Sequence, residues 1–258
     1  MKQLTLLLFV LLSVSIPRTG LSTPPTLHRW ERAVCIQSPE ENKPDSMKLC
    51  SAFFVHSAEQ LFLVAAGHGS DETNAKSKLV YRDPAGKSQS VSLKSLCSGE
   101  SDPWQRDPTS DFAIAEIRPD PNGRLHVDNL MTLSVSLQSV CTETQTPTTQ
   151  IVTAGFPLGF GAKEPISPLA VVGYVASTEI QSKTRWGHEP IVYCSPAIAQ
   201  GTSGGPAFLF DRSTDDVTVV GIYVGVVTDV SGAKLSKMVP SRLIHDAIAN
   251  STPTTKSE

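Results

Sequence analysis

Three short stretches of the 258-residue chain hold side chains whose types and order suit one kind of chemistry. Gly201-Thr202-Ser203-Gly204-Gly205-Pro206 sets one serine among glycines. Glycine reaches positive φ without strain, so the backbone there is free to turn tightly. Such a turn can aim the N–H groups of Gly201 and Ser203 at one point, as preformed donors ~2.7–3.1 Å from an oxygen that gains negative charge. A serine hydroxyl is a weak nucleophile at neutral pH. It needs a base, and the base needs an acid that holds the right tautomer. His68, in Gly67-His68-Gly69 directly after apolar Leu61–Ala66, is the candidate base. Asp111, at the head of the alternating segment Phe112-Ala113-Ile114-Ala115, is the candidate acid. His28, His56, His126 and His188 sit in weaker positions. Taken alone, the glycine-rich stretch also reads as an ordinary Gly-rich hairpin and His68 as a loop histidine, while Asp102 and Asp107, in the loop before Asp111, read as solvated or turn-forming.

The elements that must position these residues are short. Apolar runs recur at Arg32–Gln37, Leu49–His56, Leu61–Ala66, Lys78–Arg82, Ser90–Leu93, Phe112–Ile117, Gln150–Phe156, Leu169–Thr178, Ile191–Tyr193, Ala207–Phe210 and Val217–Val227. They are rich in Val, Ile, Phe and Leu and bounded by Gly, Pro, Asp and Ser, the pattern of a many-stranded all-β chain. One amphipathic helix is expected at about 240–250, where Leu243, Ile244, Ala247 and Ile248 share a face. A Thr-rich stretch at 139–150 interrupts the β pattern and is expected to be a linker. It divides the chain into β units at 27–138, carrying His68 and Asp111, and 151–250, carrying Ser203, packed side by side.

Composition narrows the function classes. With 40% hydrophobic and 18% charged residues, the chain is neither disordered nor a charge-driven coiled coil. A net charge of −3 gives no reason to expect a nucleic-acid partner. Met1-Lys2 followed by apolar Leu4–Ile16 and a polar, Pro-rich stretch is the pattern of a secretory signal peptide over 1–22, too short for a spanning helix of ~20 residues. An uncleaved anchor is the alternative. The expected location is therefore secreted or periplasmic, with no stable membrane insertion after signal removal. Of the five cysteines none lies in a CxxC, and zinc-ligand spacing is absent, so no metal and no cofactor are expected. In an oxidising compartment some thiols should pair. Cys35 and Cys50, on consecutive antiparallel runs with a turn-rich connection at Ser38–Lys48, are the expected disulfide, with Cys141–Cys194 a weaker second pair.

Taken together, the order His68, Asp111, Ser203 resembles the chymotrypsin-like (trypsin-fold) serine proteases. Ala65-Ala66-Gly67-His68 is similar to that family's Ala-Ala-His turn with one Gly inserted. Asp111-Phe112-Ala113-Ile114 is similar to its Asp-aliphatic-Ala-aliphatic strand, and Gly201–Pro206 to its Gly-Asp-Ser-Gly-Gly-Pro loop. Val219-Val220-Gly221-Ile222 resembles the strand beside its specificity pocket. The resemblance implies two packed six-stranded antiparallel β-barrels with a short C-terminal helix, and a protein or peptide substrate. Thr202 replaces the acid of animal digestive members, so the chain looks closer to bacterial-type glutamyl endopeptidases and HtrA/Deg-type proteases. Activity without activation cleavage is the corresponding expectation. The resemblance also implies a pocket built from Ala197–Gln200 and from Tyr223, Val224, Gly225 and Val226. Ala197 stands where trypsin has its acidic residue, and Val226 where large-pocket members have Gly, so a small aliphatic side chain is the expected preference.

The leading functional reading is thus a secreted serine endopeptidase working through an acyl-enzyme. The alternatives are a catalytically weak or inactive protease-like binding protein, and an exported β-sandwich binding module unrelated to proteases.

Overall fold

A computed structural model describes residues 28–40, 43–185, 187–210 and 217–251. The expected signal peptide at 1–22 lies outside the described residues. Two antiparallel sheets carry almost all of the regular structure. The first contains β1 (Ala33–Glu40), β2 (Lys43–Ser57), β3 (Gln60–Ala66), β4 (Lys78–Arg82), β5 (Ser88–Ser92), β6 (Gln105–Arg106), β7 (Phe112–Glu116) and β8 (Val135–Ser136). Their hydrogen-bonded order is β5-β4-β1-β2-β3-β7-β6, with β8 parallel to β2. The Arg118 N–H donates to the Leu96 carbonyl at 2.9 Å, which brings together the segments that follow β5 and β7.

The second sheet contains β9 (Gln150–Gly155), β10 (Leu169–Val175), β11 (Ile180–Thr184), β12 (Gly187–Ser195), β13 (Pro206–Leu209), β14 (Val219–Thr228) and β15 (Lys234–Pro240). Its order is β10-β9-β13-β14-β15-β12-β11, and β12 also pairs with β10 through Tyr174–Ser195 and Val175–Cys194. That last pairing makes a ring of six strands, from which β11 extends as one arm of a hairpin. The architecture is the all-β pair of antiparallel units with a short C-terminal helix that the sequence led us to expect. Between the sheets, Val140 and Cys141 are pinned to Val219, the latter by a 2.8 Å N–H to carbonyl bond.

Alternation along the strands explains the packing. On β1, β2 and β3, Val34, Ile36, Ala52, Phe54, Leu61, Leu63 and Ala65 join the core enclosed by the first sheet. Their neighbours Ala33, Cys35, Phe53, Val55, Phe62, Val64 and Ala66 join a second core that includes Ala154, Phe156, Phe208, Val219 and Ile222 of the other sheet. Both faces are buried, so these strands show unbroken apolar runs rather than a polar alternation. The terminal helix, α4 after three earlier helices (α1 Gly67–Asp71, α2 Leu93–Leu96, α3 Arg124–Leu133), spans Ser241–Ser251. Its Ile244 and Ile248 are fully buried in the seam between the sheets. Burying each is worth ~1.5–3 kcal/mol.

Some elements were not legible in the sequence. The expected turn-rich connection at Ser38–Lys48 is largely strand, with Ser38 paired to Lys48 and Pro39 to Met47. Strand β11 exposes both faces, which leaves no hydrophobic period to detect. Helix α3 is anchored by fully buried Leu130 and Leu133.

The expected Cys35–Cys50 disulfide is absent, and all five cysteines are free thiols. The β1–β2 register pairs Cys35 with Ser51 and Ile36 with Cys50. The two thiols are therefore one residue out of step and lie on opposite faces, Cys35 in the inter-sheet core and Cys50 in the first sheet's own core. Cys141 and Cys194 border one small core but are likewise unbonded.

Burial pushes the thiols of Cys50, Cys97 and Cys194, and the phenols of Tyr81 and Tyr223, up to about 12. A raised value in the folded state gives stability that is complete below the unfolded values, ~9 for the thiols and ~10 for the phenols, and is lost as pH climbs toward the folded ones. Urea unfolding midpoints should hold steady up to pH ~9 and then fall steeply toward pH ~12. A flat alkaline profile would contradict the buried placement of these groups.

Candidate active site

The site begins with a register. Strands β3 and β7 pair Ala65 with Ala113 and Ala66 with Phe112. One step further along the same antiparallel ladder, Asp111 arrives beside residues 67–68. After Ala66 the chain turns into the single-turn helix α1, which carries His68. Gly67 makes the approach possible, because a Cβ there would stand 3.1 Å from Asp111 Oδ1 and 3.3 Å from the Phe112 nitrogen. The glycine that looks inserted in the sequence is the clearance between the two residues.

Asp111 is 3% exposed and holds His68 twice. Its Oδ1 accepts the His68 backbone N–H at 2.8 Å, and its Oδ2 lies 2.8 Å from His68 Nδ1. A carboxylate oxygen accepts, so this contact places the N–H on Nδ1 and leaves Nε2 as the ring nitrogen not engaged by Asp111. The His68 side chain is 35% exposed and lines the cleft.

Ser203 comes from the other sheet, on the loop between β12 and β13. The loop is fixed from both sides. The Ser51 N–H of β2 donates to the Ser203 carbonyl at 2.8 Å, and the Gly204 N–H donates to the Tyr223 carbonyl of β14 at 2.7 Å. Gly201 has φ +93° and Gly204 φ +86°. A Cβ at Gly201 would lie 2.5 Å from the Phe156 carbonyl oxygen, and one at Gly204 2.1 Å from that of Ser51. The loop is therefore closed to other residues by conformation and by space.

Ser203 and His68 together line two adjoining cavities, one beside Leu49, Cys50 and Gly201, the other beside Ala197–Gln200 and Tyr223–Val226. No hydrogen bond joins Ser203 Oγ to the imidazole among the described residues. Neither the Gly201 nor the Ser203 N–H has an acceptor among the described residues. The Gln200 carbonyl accepts the Leu158 N–H at 2.6 Å, so the trans peptide directs the Gly201 N–H away from that loop.

Ala197, Val224, Gly225 and Val226 all line the second cavity. Tyr223 is 3% exposed, and its hydroxyl donates to the Ile198 carbonyl. That bond uses the one donor the phenol has. Thr228 and exposed Lys234 line the same cavity and were not anticipated. Thr202 is buried, and its hydroxyl has no partner among the described residues.

Two further residues escaped the sequence reading. Ser51 is fully buried; besides its N–H to Ser203, its Oγ donates to the Gly201 carbonyl at 2.8 Å and accepts the Phe156 N–H at 3.0 Å. A polar residue within the apolar run Cys50–Val55 was the available signal. Glu189, also fully buried, accepts the Asp111 N–H. It sits in the polar stretch Gly187-His188-Glu189-Pro190, where nothing distinguishes it from a solvated carboxylate.

No protein-family model and no curated protein sequence matches the chain. Solved structures do. The MamO protease domain from Magnetospirillum magneticum aligns over 85% of this chain and 97% of its own, at 14% identity and a TM-score of 0.56. The Rv3671c protease of M. tuberculosis, in its active form, aligns over 89% of this chain and 85% of its own, at 14% identity and a TM-score of 0.55. Human heparin binding protein aligns over 90% and 97%, at 14% identity and a TM-score of 0.56. The chain has the trypsin fold. At such identities the likeness concerns the path of the backbone, and the chemistry rests on the residues described above.

Gly201→Ala should test the loop directly. Positive φ at a non-glycine residue costs ~1–3 kcal/mol, and the contact with the Phe156 carbonyl adds to it. A urea-unfolding free energy within error of wild type would mean that the loop relaxes without cost.

Proposed function

We propose that the protein is a secreted serine endopeptidase. The observation that carries the reading is the paired 2.8 Å contact of both Asp111 oxygens with His68, which leaves Nε2 as the acceptor on a cleft wall shared with Ser203. In the proposed reaction Ser203 Oγ attacks the scissile carbonyl carbon while His68 Nε2 removes its proton. Asp111 holds the resulting imidazolium. The N–H groups of Gly201 and Ser203 stabilise the oxyanion, and in a dry, preorganised site one such donor is worth ~2.7–4 kcal/mol. His68 then gives its proton to the leaving amine, and the acyl-enzyme forms. A water molecule, deprotonated by His68, reverses the sequence and frees Ser203. The apolar run Leu4–Ile16 supports export.

The chain from Thr23 onward should hydrolyse peptides with no further cleavage, because Thr202 offers no carboxylate for a new N-terminus to pair with. Ser203→Ala, His68→Ala and Asp111→Asn should each lower kcat by ~10⁴–10⁶, with losses that do not add. A fluorophosphonate should label Ser203. Near-normal turnover in His68→Ala would assign the base elsewhere. Intact protein that neither turns over peptide nor takes the label would favour the protease-like binding protein.

We further propose a preference for small aliphatic residues on the acyl side of the scissile bond. Ile198, Val224 and Val226 line the cavity with apolar side chains, the Tyr223 hydroxyl is already bonded to Ile198, and Ala197 offers no charge to a buried Lys or Arg. One methylene in such a pocket is worth only ~1–3 kcal/mol, so the preference should be graded. In peptides differing at that residue alone, kcat/KM should peak at Ala or Val. A maximum at Arg or Phe would refute the pocket reading, and a maximum at Glu would transfer selectivity to Lys234.

A further inference from the structure

The proposed reaction leaves one wholly buried carboxyl group unused. Glu189 lies on β12, paired with Ser182 of β11, and is 0% exposed. Its Oε1 accepts the Asp111 backbone N–H at 2.6 Å across the boundary between the sheets. Its Oε2 has no partner among the described residues. Stability does not explain such a group, since an apolar side chain of similar volume commonly serves a buried site as well or better.

Local geometry around Asp111 supplies the explanation. Asp111 stands at the apex of a three-residue turn, with the Phe112 N–H donating to the Ser110 carbonyl at 2.8 Å. It precedes the first ladder pair of β7, so no neighbouring strand of its own sheet takes up its N–H. Both of its carboxylate oxygens are committed to His68. The direction in which those oxygens point depends on the peptide at the apex, and the anchor of that peptide is Glu189. The same β11–β12 hairpin also reaches α1, where Arg185 Nη2 stands 3.3 Å from Asp71 Oδ2. That pair is exposed and contributes little by itself. The buried contact is the one that fixes geometry.

We infer that Glu189 is a positioning residue: its carboxyl oxygen holds the Asp111 peptide so that Asp111 meets His68 with both oxygens, and the hairpin of the second sheet thereby sets the base in the first. This rests on the protease reading above. Acting only through Asp111, Glu189 should govern kcat and not substrate affinity.

The test compares three variants of the full mature chain on one peptide substrate. Glu189→Gln keeps an acceptor oxygen at the same reach, Glu189→Asp withdraws it by one methylene, and Glu189→Leu keeps the bulk and removes the acceptor. Glu189→Leu should lower kcat by up to ~100-fold with KM unchanged, the scale of a small misplacement of reacting groups. Glu189→Asp should fall between, and Glu189→Gln should restore most of the rate. In an Asp111→Asn background the Leu substitution should add little, because the two residues act as one unit. Wild-type kcat in a folded Leu variant would overturn the inference, as would a Gln variant as slow as the Leu variant or a full additional loss in the Asn background. If the Leu variant does not fold, equal rates for the Asp and Gln variants overturn it. A wild-type chain that neither cleaves peptide nor labels at Ser203 defeats the protease reading and this inference with it. An active wild type with indifferent Glu189 variants defeats the inference alone.

Discussion

The double burial of β2 and β3 is the constraint on which the rest of the structure depends. Each strand packs one face into the first sheet's own core and the other against the second sheet. A slip of one residue would exchange the two faces along the whole strand, so the register is held by every apolar side chain at once. Phe53, Phe54, Phe62 and Leu63, all essentially without exposure, fill both faces. From that fixed register the site follows. The Ala66–Phe112 pair delivers Asp111 to His68, and the position of Ser51 on β2 delivers a backbone donor to Ser203.

The site itself is a balance between polar groups that must be buried and the bonds that make burial tolerable. Asp111 accepts two hydrogen bonds from His68, which suits a charged oxygen pair with little access to water. Ser51 satisfies three backbone groups, from Gly201, Ser203 and Phe156, and so joins the Ser203 loop to both sheets. Against this frame, His68 and Ser203 line the cleft, and the N–H groups of Gly201 and Ser203 have no acceptor among the described residues.

The glycines show how backbone geometry and chemistry meet. At Gly67 the need is space for a carboxylate, whereas at Gly201 and Gly204 it is both space and a left-handed backbone. The pocket beside them is shaped by ordinary hydrophobic residues and by one phenol whose donor is already used on Ile198.

The sequence by itself determined the β character, both unbroken and alternating runs, the terminal helix and the identity of the candidate nucleophile, base and acid. These are local properties: a turn needs glycine, a strand buried on both faces needs a continuous apolar run, and a serine among glycines is conspicuous. What only the tertiary structure decided depends on which face a residue occupies and what stands across from it. Cys35 and Cys50 looked like partners along the chain, but the pleat sends them to opposite faces. Ser51 and Glu189 are unremarkable in one dimension and become anchors when the two sheets meet. Strand β11, exposed on both faces, carries no period to betray it, and it pairs with the strand that brings Glu189 to Asp111. Register and face are set by the sum of the packing across the seam, and no single stretch of sequence contains that sum.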